Sequence, residues 1–334
     1  MLGRAIVFPE LQRAALVEEE IAPPAAGELL IEATRSLVST GTEMICYHGS
    51  CDPGTHWAGF AHLPHRPGYS LVGRVAEVGE GLEGWQVGQR VICTANHRSP
   101  VVVQPAQVWG RCVPDGLSDE QAVWAVLGVI TQTGVRMAEH AMGDSAVVIG
   151  LGPLGQLVVQ YLRLLGLEEV LAVDPVQARL DLALAHGATA AFCGRSDDCQ
   201  DFVREHTQAR LADVVYDVTG HWAVLPTALP LAREHGKMIL LGDSPHPSRQ
   251  TLTYDVVSRQ VRIIGSRSSW LPPAYAMWTP QRMTDLFLTY VQRGQMQVDD
   301  LTTHRVRPED AAQVYALLAE NRSGTLGVQF DWTP

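Results

Sequence analysis

Positive charge is what this 334-residue chain most lacks: 25 Lys and Arg stand against 36 Asp and Glu, a net charge of -11. A surface of that sign disfavours nonspecific binding to nucleic acid or to an anionic membrane, both of which need clustered cations. Cysteine is sparse too. Six in a chain this long make no disulfide framework, and a soluble, reducing, cytoplasmic setting is expected. The greasiest stretch, Ala146 to Leu167, is broken by Gln156, Gln160 and Arg163. It falls short of the ~18 consecutive apolar residues that a bilayer span needs. Met1 to Phe8 is too brief an apolar run for a signal peptide and leads straight into Pro9 and Glu10, so no leader is expected. Internal repeats and low-complexity tracts are missing as well.

What is present is enough apolar residue, 46% of the chain, to fill a sizeable core and exclude global disorder. At roughly 100–200 residues per domain the length suggests two domains. The texture changes near residue 120. Before it, valine-rich runs at Glu28–Glu32, Ser70–Gly79 and Gly88–Cys93 are punctuated by Gly and Pro, the pattern of a compact β domain. After it, strand and helix patterns alternate. Ala146–Ile149, Val170–Val173, Val214–Tyr216, Met238–Leu241 and Val261–Ile264 read as buried strands. Leu154, Leu157, Val158, Tyr161, Leu162 and Leu165 fall at helical spacing after the first of them. Such alternation predicts a parallel sheet with helices on both faces. Near the end, Thr279 can cap a helix that starts at Pro280 and stops before Gly294, with Met283, Leu286, Phe287, Tyr290 and Val291 as its buried stripe. A second helix is expected from Pro308 through Leu318 toward Gly324, and a last strand at Val328–Trp332.

Chemistry enters with Gly150, Gly152 and Gly155 in G-x-G-x-x-G spacing, with Pro153 and Leu154 between the last two. The motif follows a strand, opens a helix, and is followed after 19 residues by Asp174 at the end of the next strand. In that setting the first glycine permits the tight turn, the second lets backbone approach a pyrophosphate, and the third allows close packing of helix on strand. The phosphates would sit on the helix N-terminus. A purely structural glycine turn is the plainer alternative. Asp174 is expected to bind ribose hydroxyls and repel a 2′-phosphate, and Pro175 stands where an NADP site favours a cation, so NAD is expected over NADP. Arg179 is counted with the cofactor contacts, or else only packs the next helix.

With these residues stated, nearly the whole chain resembles the medium-chain dehydrogenase/reductase superfamily of the alcohol dehydrogenase type. Pro67–Val75, Val87–Val91, the glycine fingerprint and Val215–Gly220 carry the likeness. The resemblance implies an α/β chain: a GroES-like β-rich catalytic domain at 1–122, a Rossmann doubly wound parallel sheet at 123–268, and a segment at 269–334 that completes the catalytic domain, with the active site in the cleft. It also implies cofactor contacts at Thr133, Thr219, Gly220, Gly242 and Ser266.

The departures matter more. Where zinc-dependent members carry Cys-Gly-Thr-Asp, this chain has Thr40-Gly41-Thr42-Glu43. Their Gly-His-Glu is Gly68-Tyr69-Ser70, and the third ligand position is Val129. Catalytic zinc needs three ligands from Cys, His or carboxylate, and all three positions are lost. Only Cys93 and Cys112 lie where four structural-zinc cysteines would stand, so neither zinc is expected. A rival small metal site among Cys46, His48, Cys51 and His56 is weighed against ordinary loop residues and set lower. Ser39–Glu43, Pro67–Tyr69, Thr303–Arg305 and Asp331–Trp332 are similar to a zinc-lacking branch that includes bacteriochlorophyllide a dehydrogenase.

Without the metal, side-chain hydroxyls must supply the proton and hold the developing charge. Tyr69 is the first candidate, with cavity filling as its plainer reading. Thr42 matches the start of the family's proton relay, and Ile45 replaces the relay histidine. Glu43 and His48 are the remaining titratable candidates, Glu43 being as readily a turn or ion-pair residue. Thr40, Trp57, Trp270 and Trp278, with Tyr275, are expected in loops near a small-molecule substrate. Three readings stay open: an alcohol–ketone dehydrogenase, an enone or quinone reductase, and a nucleotide-binding protein without catalysis. A homodimer through the sixth strand is implied by the family.

Overall fold

The computed structural model describes residues 1–334. The chain opens with the hairpin β1 (Leu2–Glu10) and β2 (Arg13–Glu20), then β3 (Leu29–Leu37), helix α1 (Thr40–His48) and the short α2 (His56–Phe60). Strands β4 (Leu71–Val78), β5 (Arg90–Cys93), β6 (Arg98–Ser99), β7 (Val101–Val103) and β8 (Val108–Gly110) follow. Next come α3 (Asp119–Ala122), α4 (Ala125–Ala138), β9 (Ser145–Ile149), α5 (Pro153–Leu165), β10 (Glu169–Asp174), α6 (Gln177–Ala185), β11 (Ala190–Cys193) and α7 (Gln200–His206). The alternation continues through β12 (Ala212–Asp217), α8 (Leu225–Ala228), β13 (Ala232–Leu240), α9 (Asp255–Ser258) and β14 (Arg262–Gly265). It ends with α10 (Pro280–Gln292), β15 (Thr302–Val306), α11 (Ala311–Glu320) and β16 (Gly327–Asp331).

Two compact units result: Met1–Leu127 together with Trp278–Pro334, and Gly128–Met277. The expected boundaries at 122 and 268 lie five and nine residues earlier than those at 127 and 277. The tail beyond β14 stays with the second unit because it is tied back to α4: the Ser269 N–H donates to Thr133 Oγ1 at 3.2 Å, and the Tyr275 hydroxyl to Glu139 at 3.0 Å.

In the first unit, β15-β16-β3-β4-β5-β8 lie side by side with β7 added on β3, and β2-β1-β6 form a smaller sheet. The last strand inserts beside the third, with Gln329 opposite Leu37 and Asp331 opposite Arg35. Ile6, Phe8, Leu29, Ile31, Leu71, Val91, Tyr315 and Phe330 fill the space between the sheets. Each contributes roughly 1.5–3 kcal/mol on leaving water. Trp124 is fully buried too, its indole N–H donating to Thr302 Oγ1 at 3.1 Å.

The second unit holds a six-stranded sheet, β11-β10-β9-β12-β13-β14, parallel throughout. The central β9 is buried at every residue, which is why it reads as a continuous apolar run and not as alternation. Two details differ from the helical patterns read in the sequence. Leu165 is exposed, because α5 ends there and the next residue, Gly166, turns left-handed to close it. Gln156 and Gln160, which interrupt the greasy run, are buried on the packed face of α5. In α10 the buried stripe is Met283, Thr284, Phe287, Leu288 and Val291, so Leu286 and Tyr290 sit half-buried at its margins. The second C-terminal helix begins as a tight turn at Pro308–Asp310 and ends at Glu320, because Asn321 is extended. No helix is long and apolar enough to cross a membrane.

Candidate functional site

In the second unit the glycine fingerprint lies between β9 and α5. Gly150 has φ +92°, open to glycine and strained for other residues. A methyl at Gly155 would come within 2.0 Å of the Gly150 carbonyl oxygen, so helix and strand could not close. Gly152 caps α5 in extended conformation and Pro153 takes its first position, where a missing N–H costs nothing. The first turn, from Pro153 through Leu154, thus offers a helix N-terminus suited to phosphate.

Asp174, buried at the end of β10, holds this loop from the side. Its carboxylate accepts the Leu151 N–H at 2.7 Å and the Val176 N–H at 2.8 Å, and Arg179 stands 3.8 Å away. Arg179 therefore does more than pack a helix. Gln156, buried beneath, donates to the Leu151 and Arg179 carbonyls at 3.2 and 2.8 Å.

Thr219 donates its hydroxyl to Asp217 Oδ1 at 2.6 Å, and burial raises that carboxyl above the usual range against the pull of the Thr219 and Gly220 donors. Gly242 lies so close to Gly220 that a Cβ would meet its nitrogen at 2.3 Å, which brings the ends of β12 and β13 together. Thr133 is buried in α4 and donates to the Val129 carbonyl at 2.8 Å. Ser266 Oγ is a buried hydroxyl with no protein partner. Open glycine backbone, a phosphate-ready helix end, a carboxylate at the second strand and an unsatisfied hydroxyl after the sixth fit a dinucleotide.

The zinc positions do not fit a metal. Thr40 is the first residue of α1, Val129 is an alkyl side chain buried in α4, and Tyr69 is a phenol held by hydroxyls. Nowhere do three His, Cys, Asp or Glu gather as a metal site. Cys46 faces the core, where burial first and the Glu43 charge second push its thiol up to about 12, the reverse of a thiolate ligand. His48 lies exposed at the end of α1, apart from the polar group around Tyr69.

That group belongs to the first unit. The half-buried Tyr69 shares a hydrogen bond with Ser39 Oγ. Burial raises its phenol pKa, the Ser39 and Thr42 hydroxyls draw it down, and the charges of Glu43 and Cys46 push it up. Glu43 is 1% exposed, and no arginine meets it. Its carboxylate accepts the Ser39 N–H at 2.7 Å, His97 Nε2–H at 3.1 Å and the Tyr315 hydroxyl. His97 Nδ1 in turn shares a hydrogen bond with Ser36 Oγ at 2.8 Å, which also accepts the Trp332 indole N–H at 2.9 Å. Ser36, His97 and Tyr315 were not legible as site residues. Ser39 and Trp332 stood in the sequence only as parts of the Ser39–Glu43 and Asp331–Trp332 likenesses, with no role read for either.

The expected substrate aromatics separate. Trp57 is buried in α2 among core residues instead of lining a loop, because its indole packs beside His56 and Phe60. Trp270 is 68% exposed under the Arg267 guanidinium, 4.3 Å from the ring. Trp278, half-buried, lies beneath Arg282 at 4.0 Å.

Residues 25–151 match the alcohol dehydrogenase GroES-like domain and residues 153–277 the zinc-binding dehydrogenase domain. D-guloside 3-dehydrogenase of Escherichia coli K12 is 26% identical, with 95% of this chain and 97% of that one covered. An Escherichia coli CFT073 alcohol dehydrogenase solved with NADH is 19% identical with a TM-score of 0.81, covering 99% of each chain. A zinc-binding dehydrogenase of Sinorhizobium meliloti 1021 solved with NADP has the same identity, coverage and TM-score. The chain belongs to the medium-chain dehydrogenase/reductase superfamily and is an oxidoreductase.

Proposed function

We propose that the chain is a zinc-independent, NAD(H)-dependent dehydrogenase that interconverts a secondary alcohol and a ketone. The observation that carries this reading is the donor set at the family's metal positions: Thr40, Tyr69 and Val129 offer no zinc ligand, while the Tyr69 phenol is hydrogen-bonded to Ser39 beside Thr42.

The nicotinamide ring, when bound, gives or takes the hydride. The first turn of α5 holds the pyrophosphate, and Asp174 takes the ribose hydroxyls while its charge disfavours a 2′-phosphate. Tyr69 holds a proton for the substrate oxygen, with Ser39 and Thr42 fixing the direction of its O–H. A phenol is protonated at neutral pH, and burial pushes its pKa further up, so Tyr69 is available as the acid that donates to the substrate oxygen during ketone reduction. Carbonyl reduction without a metal leaves charge on the oxygen for hydroxyl donors to stabilise.

A secondary hydroxyl on a sugar-like ring is the substrate class we favour. The D-guloside 3-dehydrogenase likeness supports it. We also infer a homodimer formed along β14, the edge strand of the six-stranded sheet, near the exposed Tyr254 and Val257. Sedimentation at a monomer's mass would exclude it.

The test is a turnover panel. Cyclic polyols and glycosides with NAD, their ketones with NADH, and enones and quinones with NADH are assayed on protein whose zinc content is measured. Turnover of ring alcohols without zinc is expected. Stoichiometric zinc whose removal stops turnover overturns the reading. Turnover of enones alone makes the chain a reductase of conjugated acceptors, and NADH binding without any turnover makes it a binding protein.

A further inference from the structure

Burying a carboxylate is costly unless every oxygen finds a donor. Glu43 meets that condition with donors from three separate parts of the first unit: Ser39 just before α1, His97 between β5 and β6, and Tyr315 in α11. Two of these contacts reach toward Tyr69. The Ser39 whose N–H binds Glu43 is the same residue whose Oγ meets the phenol. The His97 ring lies against Gly68, the residue before Tyr69, so closely that a Cβ there would stand 2.7 Å from the imidazole. Ser36 and Trp332 hold the far side of the ring, and Phe8 and Tyr47 pack against the ring of Tyr315. The network thus brackets Tyr69 from its preceding residue and from its hydroxyl partner.

We propose that Glu43, clamped by His97 and Tyr315, is a positioning residue that fixes Ser39 and, through Ser39, the place of the Tyr69 hydroxyl. This rests on the reading of Tyr69 as proton donor. Glu43 does not touch substrate: its carboxylate is enclosed by these donors, and it acts through the hydroxyl it orients. Electrostatics points the same way. Beyond burial, the largest cause, the groups that bear on the phenol are Ser39 and Thr42, which lower its pKa, and Glu43 and Cys46, which raise it. Neutralising the Glu43 charge removes one upward push.

The experiment compares Tyr69→Phe, Glu43→Gln, the double variant and Tyr315→Phe, each checked for its fold by circular dichroism. Activity is read on whichever alcohol or ketone gives turnover. A substrate-free readout accompanies it: the alkaline absorbance titration of the Tyr69 phenol, obtained as the difference between each protein and its Tyr69→Phe partner. Glu43→Gln is expected to lower kcat by up to about 10²-fold with little change in KM, as misplacement of a reacting group does. The double variant should be no slower than Tyr69→Phe alone, because both changes remove one function. The phenol should ionise at lower pH in Glu43→Gln. Should that variant fail to fold, Tyr315→Phe, which removes one donor and leaves two, is expected to give a smaller loss with the same non-additivity. Additive losses, or an unmoved phenol titration, overturn the positioning role while the donor reading stands. Full activity in Tyr69→Phe overturns both.

Discussion

His140 offers the sharpest test of how this chain responds to pH. The ring lies just beyond α4 with 1% of its side chain exposed. Its Nε2 stands 2.7 Å from the Tyr216 hydroxyl, and the two rings stack with centroids 5.9 Å apart. Burial lowers its pKa from 6.5 to about 4. Lys237 pushes in the same direction, and Asp144 and Asp213 oppose it. The folded chain therefore refuses a proton that the unfolded chain accepts between pH 6.5 and 4, so unfolding binds protons in that window. The stabilising contribution is complete above 6.5 and disappears as pH falls toward 4. At 1.36 kcal/mol per unit the ceiling is about 3 kcal/mol, or ~6–12 °C in Tm for a unit of this size. The assay is thermal unfolding of the chain and of His140→Gln at half-unit steps across the window. The variant starts lower at neutral pH, having lost packing, and the two curves should converge toward pH 4. Curves that stay parallel would refute the reasoning, since other titrating groups act equally on both.

The fingerprint makes further demands. Gly155→Ala should weaken NADH binding by at least tenfold in a fluorescence titration, because its methyl would collide with the Gly150 carbonyl 2.0 Å away; unchanged affinity would remove the loop from the cofactor site. Asp174→Ser should shift the NADH-to-NADPH preference toward NADPH by tenfold or more, as Arg179 stands 3.8 Å from the lost charge, and an unmoved ratio would count against the ribose contact. Tyr69→Phe should lower kcat by roughly 10²-fold, measured on the substrate that the panel identifies. Alkylation at pH 8 should label the exposed Cys112 and Cys193 first, whereas Cys46, Cys93 and Cys199, whose thiols burial pushes up to about 12, should resist until the chain unfolds. Rapid labelling of Cys46 in folded protein would contradict the core placement of α1.

The dinucleotide cradle was readable because its chemistry is local. Gly150, Gly152 and Gly155 lie within one turn, and strand–helix alternation announced the sheet that presents them. The residue types at Thr40, Tyr69 and Val129 were readable too, though only the family resemblance marks those places as ligand positions. For Arg179 the sequence leaves cofactor contact and helix packing both open, because only the fold shows it beside Asp174. Trp57 looked like a loop aromatic until α2 turned its indole into the core.

From its own letters the chain determined two domain types and a glycine-rich helix start suited to phosphate, since periodicity and glycine spacing act over a few residues. Which groups surround Tyr69 was decided by tertiary structure alone. Glu43 finds His97 across 54 residues and Tyr315 across 272, and Ser36 finds Trp332 across 296. No periodicity links such positions. They meet because the last strand slots in beside the third and the core closes over the helix between, and a buried carboxylate then accepts whatever donors that packing supplies.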